Sequence, residues 1–462
     1  MRLCTAVLLA AIVACKRDEP KPEAKPDASS ATVAVVDASA PSTIKDRWSP
    51  EGMLAEGARY VDDPSWRRSQ VEASLVNPTN TYSRQRLDSY GLRTKGWDLL
   101  PEWNPRSVQA TRATAETLRT GKRIEIDPKT PPLWDEKRPT DMAGWVALGR
   151  EVFFRYPLRV EVFMDWALTH PDVGEKVGVR ADANGDYPGV VEFVNVDGKN
   201  ALGITCAICH SNIEDGKTVP GFARRVFDYG ALRLAYHADT KVPVAADLAR
   251  RMKSWGPGRA DVTEDDDEDP VAIPDLWGLR HQSHLTQAGT IAHVGPTALA
   301  IRQETQLLHS NHQKVRPPRV LSYALAMYLY SLVPPAHEDK KDEHADRGRA
   351  LFSTYCKGCH ENDAYGGPPV AAKKIGTDAA LANGGARGTG NYRPPALVRV
   401  SAAAPYFHHG AVPSLEDVLA PSRIEASYAK SPLGKGAVKG HEYGLDLSND
   451  QRADLVAFLR TL

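Results

Sequence analysis

Two short cysteine–histidine motifs constrain this 462-residue chain more than any other feature of its sequence. The first reads Cys206-Ala-Ile-Cys209-His210, and the second reads Cys356-Lys-Gly-Cys359-His360. The chain has six cysteines, and the two outside these motifs, Cys4 and Cys15, lie in its first fifteen residues. The four remaining cysteines therefore fall into two pairs of identical C-x-x-C-H spacing.

The C-x-x-C-H spacing is that of covalent haem c attachment. The two thiols add to the two vinyl groups at one edge of a porphyrin, and the next residue places an imidazole below the iron as proximal ligand. A thioredoxin-like redox pair and a four-cysteine zinc site are the competing interpretations, and neither explains the histidines. The motifs predict two covalently bound haem c groups, haem 1 on Cys206, Cys209 and His210, and haem 2 on Cys356, Cys359 and His360.

The N-terminus has the pattern of an export signal. Arg2 precedes a short apolar run, and the run ends in Ile12-Val13-Ala14-Cys15, which resembles the lipobox of bacterial lipoproteins. We expect residues 1–15 to be a lipoprotein signal peptide with Cys15 as the lipid attachment site; a plain secretory signal is the alternative. Residues 16–45 are rich in Pro, Ala, Lys, Asp and Ser, which predicts a disordered tether. The expected location is the periplasm or cell envelope, with a lipid anchor.

Composition limits the classes of partner. Lys plus Arg and Asp plus Glu number 58 each, so no strong global charge favours nucleic acid or an anionic membrane surface. No segment after the signal reaches the roughly eighteen apolar residues that a membrane-spanning helix needs, so membrane contact is expected only through the anchor. With 35 Gly and 34 Pro, long loops should join the helices of a mainly α fold.

A repeat around the two motifs predicts two cytochrome c-like haem domains. Gly149-Arg150 precedes the first motif and Gly348-Arg349 the second, each followed by Phe. After the first motif, a closing helix is expected to end with Met327–Leu332, before Pro334-Pro335, and after the second motif an amphipathic helix is expected at Asp450–Leu462. The predicted boundaries are an N-terminal extension without assigned role at 46–140, haem domain 1 at 141–335 and haem domain 2 at 336–462.

Candidate distal ligands are found by excluding methionine where none follows a motif and by considering the histidines downstream of that motif. None of the six Met residues follows the second motif, so haem 2 has no Met from its own domain. His408 or His409 is the expected substitute, and His441 is a weaker candidate. For haem 1, the histidines downstream of the motif are alternatives that the sequence leaves open: His237, His281, His284 and His293.

The segment from Tyr392 to Leu419, which contains Ala404-Pro-Tyr-Phe-His408-His-Gly410, resembles the C-terminal signature of the bacterial diheme cytochrome c peroxidase superfamily. With the later Gly440-His-Glu-Tyr-Gly444, the likeness is greatest to its rubber-oxygenase-like branch. The segments Ser254–Arg259 and Ile273–Arg280 resemble parts of the first haem domain of such proteins. The resemblance covers roughly residues 140–462 and implies that His408, rather than His409, is the distal ligand of haem 2.

The resemblance also implies a function and further site residues. Peroxidases of the superfamily hold an acidic residue over the open haem, for which Glu304 is the loosely aligned candidate catalytic residue. Arg259, Arg280 and Arg393 are candidate partners for haem propionates. The acidic run Glu264–Asp269 is interpreted as a solvated loop, with Ca²⁺ binding as the alternative.

Two functional classes follow. The first is an exported diheme peroxidase- or oxygenase-like oxidoreductase with haem-to-haem electron transfer. The second is a diheme electron-transfer protein without its own substrate. Both require a small redox protein as electron donor or acceptor.

Overall fold

The computed structural model describes residues 46–261, 269–336 and 341–462, and helices make up most of its regular structure. The first part contains α1 (Pro50–Asp62), α2 (Pro64–Ala73), α3 (Thr81–Ser89), β1 (Ser107–Thr111) and α4 (Arg112–Arg119). Then follow α5 (Met142–Arg155), β2 (Arg159–Val160), α6 (Val162–Thr169), α7 (Pro171–Lys176), β3 (Asp186–Val194), β4 (Asn200–Ile204), α8 (Ala207–His210), β5 (Ser211–Glu214), β6 (Lys217–Pro220), α9 (Tyr229–Thr240), α10 (Ala246–Trp255), β7 (Arg259–Ala260), β8 (Val271–Ala272), β9 (His284–Leu285), β10 (Ile291–Ala292), α11 (Pro296–Ser310) and α12 (Arg319–Ser331). The last part contains α13 (Glu343–Tyr355), β11 (Val370–Ala371), α14 (Ala372–Ile375), α15 (Ala380–Asn383), β12 (Asn391–Tyr392), α16 (Leu415–Val418) and α17 (Asn449–Arg460). Short 3₁₀ turns lie at Gly96–Leu99, Leu279–His281, Val400–Ala402 and Pro421–Ile424.

Two pairs of helices, α5 with α12 and α13 with α17, cross at glycines. A Cβ atom added to Gly149 on α5 would lie 1.9 Å from the carbonyl oxygen of Ala324 on α12. A Cβ atom on Gly348 of α13 would lie 2.0 Å from the carbonyl oxygen of Asp454 on α17. No real Cβ atom sits that close to a carbonyl oxygen, so each crossing brings backbone against backbone and admits only glycine.

An aromatic pair follows each crossing one helical turn later. Phe153 packs on Tyr328 with ring centroids 5.3 Å apart, and Phe352 packs on Phe458 at 5.4 Å. All four side chains are at most 5% exposed. The repeat seen in the sequence thus corresponds to two helix crossings of the same construction.

N-terminal caps fix where the helices of these crossings begin. Asp141 accepts a hydrogen bond from the backbone N–H of Gly144, and Asp342 accepts one from Ala345. At the start of α17, Ser448 and Gln451 form a capping box. Such caps satisfy N–H groups that a helix leaves unpaired at its N-terminus.

The residues predicted as an N-terminal extension build part of the same core as α5, α11 and α12. Helix α1 packs on α12, and α2 packs on α11. Strand β1 pairs antiparallel with β3, which makes it the edge of a four-stranded sheet of order β1-β3-β4-β2. From Ile44 to Leu462 the described residues form one compact unit.

The mainly α fold class is confirmed, whereas the two haem domains and their boundaries stay predictions. In the described ranges no helix has the length and apolar character needed to cross a bilayer. The signal peptide, Cys15 and the tether lie outside the described residues, as does most of the acidic run Glu264–Asp269.

Candidate haem sites

The first C-x-x-C-H motif lies between two strands. Strand β4 ends at Ile204, Cys206 caps the single-turn helix α8, and β5 begins directly after His210. The imidazole Nδ1 of His210 lies 3.1 Å from the carbonyl oxygen of Pro274, and this contact assigns the Nδ1 proton to a hydrogen bond with that carbonyl. The Nε2 atom then keeps the lone pair that a metal ion needs.

The second motif repeats this arrangement on a different scaffold. Cys356 is the C-terminal cap of α13, and His360 follows in a turn. Nδ1 of His360 lies 2.6 Å from the carbonyl oxygen of Tyr365 and donates to it in the same tautomer. Both motif histidines are therefore oriented by a backbone carbonyl and present Nε2, as metal-bound histidines require.

The chemistry of the four thiols fits covalent attachment better than metal binding. All four cysteines are free of disulfides. Burial raises the pKa of Cys206 to about 12 and those of Cys209 and Cys356 to about 11, so these positions disfavour a thiolate. A zinc site needs thiolates, whereas a thioether is neutral. Within the described ranges, no group of three or more His, Cys, Asp or Glu side chains could hold a metal ion.

The contacts of His408 are with residues outside the second motif. Its ring stacks on Tyr392 at 4.1 Å between centroids, and its carbonyl oxygen accepts a hydrogen bond from the backbone N–H of Ala272. Burial, with the neighbouring His409 and Arg259, lowers the pKa of His408 to about 3. The side chain is thus a neutral imidazole in contact with an aromatic ring, and its role as distal ligand of haem 2 stays a prediction.

His441 is placed differently. Burial lowers its pKa to about 4, and the charge of His360 is the next contribution to this lowering, so the two imidazoles lie in the same region. Its Nδ1 atom is buried and has no hydrogen-bond partner among the described residues. Phe407, one residue before His408, packs on it at 5.6 Å between ring centroids.

Arg423 fixes the backbone that carries His441. This fully buried guanidinium donates from Nη2 to the carbonyl oxygen of His441 at 2.7 Å, from Nη1 to Val438 at 2.6 Å and from Nε to Val418 at 2.9 Å. Gly440 has a left-handed φ of 84°, and a Cβ atom there would lie 2.3 Å from the backbone nitrogen of Thr377. His441 is therefore held rigidly beside the second motif.

The four histidines considered for haem 1 have other partners. Nδ1 of His237 lies 2.9 Å from the carbonyl oxygen of Val242, and His281 is exposed at the surface. His293 is buried, with Nδ1 2.8 Å from the carbonyl oxygen of Gln282 and Nε2 hydrogen-bonded to Tyr330. The Nδ1 of His284 contacts the Ser283 hydroxyl. None of the four is among the groups that shift the pKa of His210.

The arginines predicted to bind propionates differ in the hydrogen bonds that their guanidinium groups already make. Arg259 donates to the carbonyl oxygens of Ser254, Trp255 and Pro270. Arg280 is exposed and donates to the carbonyl oxygen of Trp48. Arg393 donates to Gln282 and to the carbonyl oxygen of Thr286, and burial lowers its pKa to about 10. No carboxylate pairs with Arg393 among the described residues, so of the three it best fits a propionate.

Glu304 is fully buried in a network of its own. Its Oε2 accepts hydrogen bonds from the phenols of Tyr60, at 2.6 Å, and Tyr90. Its Oε1 lies 3.4 Å from Nε of Arg319. The carboxylate thus joins α11 to the N-terminal helices. These contacts account for the burial of Glu304 by themselves, and its catalytic role stays a prediction.

One segment connects the two motifs. It begins at Pro274, which accepts the hydrogen bond from His210, and reaches His281, whose carbonyl oxygen accepts one from Asn362 Nδ2 at 2.9 Å. Asn362 lies two residues after His360. Residues 274–281 therefore join the proximal histidine of the first motif to the immediate neighbourhood of the second.

Arg225 reinforces this connection. Its Nη2 pairs with Asp275 at 3.0 Å, while its Nε donates to the carbonyl oxygen of Ala404 at 2.8 Å and its Nη2 also approaches that of Ala403. The guanidinium thus ties the segment after the first motif to the loop that leads into Phe407 and His408.

Two C-x-x-C-H motifs with oriented histidines on a helical scaffold are the arrangement expected of a c-type cytochrome. Residues 390–429 match the family model described as RoxA-like, cytochrome c-like. The methylamine utilization protein MauG of Methylophilus methylotrophus is 24% identical over 281 residues, which are 56% of this chain and 76% of that protein.

Among solved structures, a MauG-like protein associated with microbial copper homeostasis is 18% identical with a TM-score of 0.32, over 46% of this chain and 79% of its own. The predicted resemblance to the bacterial diheme cytochrome c peroxidase superfamily is confirmed by the family match and the MauG relative. These similarities support an oxidoreductase of the cytochrome type.

Proposed function

We propose that the protein is an exported diheme c-type cytochrome in which haem 1 reacts with peroxide or oxygen and haem 2 exchanges electrons with a small redox protein. Bound haem supplies a redox-active iron whose sixth coordination position decides between catalysis and electron transfer. The proposal rests on an asymmetry between the two motifs that the side chains create.

The observation that carries the proposal is that, within the described ranges, another histidine affects the motif histidine's surroundings at the second motif and not at the first. The buried His441 lies in the region of His360 and has an Nδ1 atom without a hydrogen-bond partner, which supports a second histidine ligand on haem 2. At His210 the groups that affect the imidazole are the Pro274 carbonyl, Arg225 and Arg302, and none of them is a histidine. An iron held by His210 would keep one position for a small molecule, whereas an iron between two histidines would not.

The chain's own residues then have distinct tasks. Cys206, Cys209, Cys356 and Cys359 hold the two groups, and the Pro274 and Tyr365 carbonyls keep His210 and His360 in the tautomer with a free Nε2. The segment 274–281 and Arg225 fix the separation of the two sites, which supports rapid electron transfer between them. We infer His441, rather than His408, as the second ligand of haem 2.

Electron paramagnetic resonance of the purified ferric holoprotein tests the proposal. We expect one high-spin and one low-spin haem signal, with two haems per chain by pyridine haemochrome assay. Hydrogen peroxide should remove the high-spin signal, while the haem content of the protein stays unchanged. Two low-spin signals and no high-spin signal in the ferric protein would refute the reactive haem 1 and support the alternative, an electron-transfer protein without its own substrate.

A further inference from the structure

The phenol of Tyr330, at the end of helix α12, is hydrogen-bonded to an imidazole. Its oxygen lies 2.5 Å from Nε2 of His293, and the two rings stack with centroids 5.7 Å apart. On the other side of the imidazole, Nδ1 lies 2.8 Å from the carbonyl oxygen of Gln282. A carbonyl oxygen only accepts, so the ring proton is on Nδ1, and Nε2 accepts the phenolic O–H. The hydrogen bond therefore has one defined direction, from the phenol to the imidazole.

The acceptor distinguishes Tyr330 from a tyrosine on the same helix. Tyr323 donates to the carbonyl oxygen of Met53, which holds a hydrogen bond but does not take up a proton. The buried imidazole of His293 is neutral, because burial lowers its pKa to about 4, so its Nε2 atom is open to a proton. A phenol becomes a strong acid when it loses an electron. One-electron oxidation of Tyr330 is therefore easier than that of Tyr323.

The indole of Trp48 contacts both members of the pair. Its ring centroid lies 5.5 Å from that of Tyr330 and 5.1 Å from that of His293, edge to face in both cases. Trp48 is partly exposed, whereas His293 is buried. Arg280 holds the indole in place, because it donates to the Trp48 carbonyl oxygen at 2.5 Å and its guanidinium lies 5.8 Å from the ring centroid. Rings in contact are short steps for an electron, so Trp48 links the buried pair to solvent.

Packing places the end of α12 beside the first motif. Leu332 lies two residues after Tyr330, and a Cβ atom added to Gly221 would lie 3.2 Å from Cδ1 of Leu332. The backbone N–H of Gly221 donates to the carbonyl oxygen of His210 at 2.8 Å. The side chains of Tyr330 and Cys206 also pack against the same hydrophobic core. Only a few contacts therefore separate the tyrosine from the first attachment site.

The imidazole of the pair adjoins the segment that connects the two motifs. Gln282, which accepts the hydrogen bond from His293, directly follows His281, and the carbonyl oxygen of His281 accepts one from Asn362. The backbone N–H of His293 donates to the carbonyl oxygen of Ser283 at 2.9 Å, which fixes the backbone that carries the imidazole. A tyrosine with a proton acceptor thus lies at the connection between the two sites.

We propose that Tyr330 is a redox-active tyrosine, with His293 as its proton acceptor and Trp48 as its link to the surface. Tyr330 supplies one of the two electrons that reduce hydrogen peroxide to water at the first site, and its phenolic proton moves to Nε2 of His293. The other electron comes from the second site, and solvent supplies the two protons that water formation needs. An electron from Trp48 and the return of the proton from His293 restore the phenol, and a one-electron donor in solution then reduces the indole. The inference rests on the proposed function, because hydrogen peroxide reacting at the first site is the oxidant.

Rapid freeze-quench electron paramagnetic resonance of the peroxide-treated ferric holoprotein tests the assignment. Wild type should give an organic radical signal that narrows with ring-deuterated tyrosine, because ring protons split the signal of a tyrosyl radical. The tyrosyl signal should be lost in Tyr330→Phe and should be larger in Trp48→Phe, where the refilling electron is missing. In His293→Gln it should form about a hundredfold more slowly, the lower end of what a positioned proton acceptor contributes. Tyr323→Phe, on the same helix, is the matched control and should keep the wild-type signal.

Several outcomes would overturn the assignment. Loss of the high-spin haem signal without any tyrosyl or tryptophanyl radical would do so, as would a wild-type radical in Tyr330→Phe or a wild-type rate in His293→Gln. If Tyr330→Phe does not fold, spin trapping in wild type followed by peptide mass spectrometry decides. The adduct should lie on the peptide of Tyr330 or of Trp48, and adducts confined to other peptides would contradict the proposal. A high-spin signal that peroxide leaves unchanged would instead refute the proposed function, and this inference with it.

Discussion

The imidazole of His408 stacks on the phenol ring of Tyr392, with ring centroids 4.1 Å apart and the planes 23° from parallel. Tyr392 belongs to the short strand β12, which pairs with β11 and not with the helices around the second motif. The neighbouring Phe407 instead turns its ring toward His441. In the Pro-Tyr-Phe-His sequence, Phe407 and His408 therefore contact different partners. The histidine that lies in the region of His360 is His441, from a later loop.

Replacement of His441 should change haem 2 and replacement of His408 should not. His441→Ala removes the imidazole that we propose as the second ligand of haem 2, so the low-spin signal of haem 2 should convert to high spin and its midpoint potential should move. His408→Ala loses a stacking contact worth about 1 kcal/mol and should keep the low-spin signal. Optical and electron paramagnetic resonance spectra of the two ferric variants provide the measurement. Conversion in His408→Ala but not in His441→Ala would return the ligand assignment to His408.

The helix crossings predict a strong effect of a single methyl group. Gly149→Ala and Gly348→Ala each place a Cβ atom about 2 Å from a carbonyl oxygen, so the helices must separate. We expect each change to lower the free energy of unfolding by about 1–3 kcal/mol or more. Thermal and denaturant unfolding measure this. In Gly385→Ala, the control, the new Cβ meets nothing within 4 Å and stability should stay within about 0.5 kcal/mol of wild type. Equal stability of the Gly149 and Gly385 variants would contradict the backbone contact.

Arg423 should stabilise the region of haem 2 far more than a surface arginine does. Arg423→Met leaves three buried carbonyl oxygens without a donor, and the expected loss is about 3–5 kcal/mol in the free energy of unfolding. The same change should broaden the low-spin signal of haem 2, because the His441 backbone loses its anchor. Arg460→Met removes an exposed ion pair with Glu416 and should cost about 0.5 kcal/mol or less. Similar losses in the two variants would show that Arg423 does not hold this loop.

Acid should weaken the α13–α17 crossing through Asp454. This carboxylate accepts hydrogen bonds from Arg347 and His344, and the Arg347 bond in particular holds its pKa below the ordinary value. The unfolded value is about 3.9, so the contribution to stability is present above about pH 4 and is lost as the pH falls through the lower folded pKa. Unfolding free energies of wild type and Asp454→Asn between pH 3 and 7 should differ at neutral pH and converge in acid. A difference that stays constant over this range would exclude the linkage.

Lipidation at Cys15 predicts membrane association of the exported protein. Wild type expressed with its own leader in a Gram-negative host should sediment with membranes and incorporate labelled fatty acid, whereas Cys15→Ala should do neither. Cys4→Ala is the control and should behave as wild type. A wild-type protein found in the soluble periplasmic fraction without label would favour the plain secretory signal.

The local sequence was enough to predict the parts of this molecule that are encoded by residues close together in the chain. The C-x-x-C-H motifs, the glycines of the two crossings and the closing helices, α12 and α17, were all predictable because each is encoded within a few turns of chain. The second ligand that we propose for haem 2 was harder to predict, since His441 lies 81 residues beyond His360 and the tandem His408-His409 resembled a known motif more closely. The spacing of residues in the sequence cannot show that the Nδ1 atom of His441 is buried without a partner among the described residues, because this depends on packing.

The N-terminal region shows a second limit of sequence reasoning. Arg86 is one of many arginines in residues 46–140, and nothing in its neighbours distinguishes it from exposed Arg84. Only the packing of α3 on α2, and of α2 on α11, shows that Arg86 is buried. Propionate partners were predicted near the motifs, which gave Arg259, whose Nη atoms already donate to backbone carbonyl oxygens.

The two helix crossings follow one another along the chain, which sets the order in which they can form. The first crossing is complete at Ser331, and the helix that opens the second begins at Glu343. All parts of the first haem site up to that point are synthesised before any residue of α13 emerges. Closure of α12 over Gly149 can thus precede the arrival of α13, so the first crossing does not need the second in order to fold.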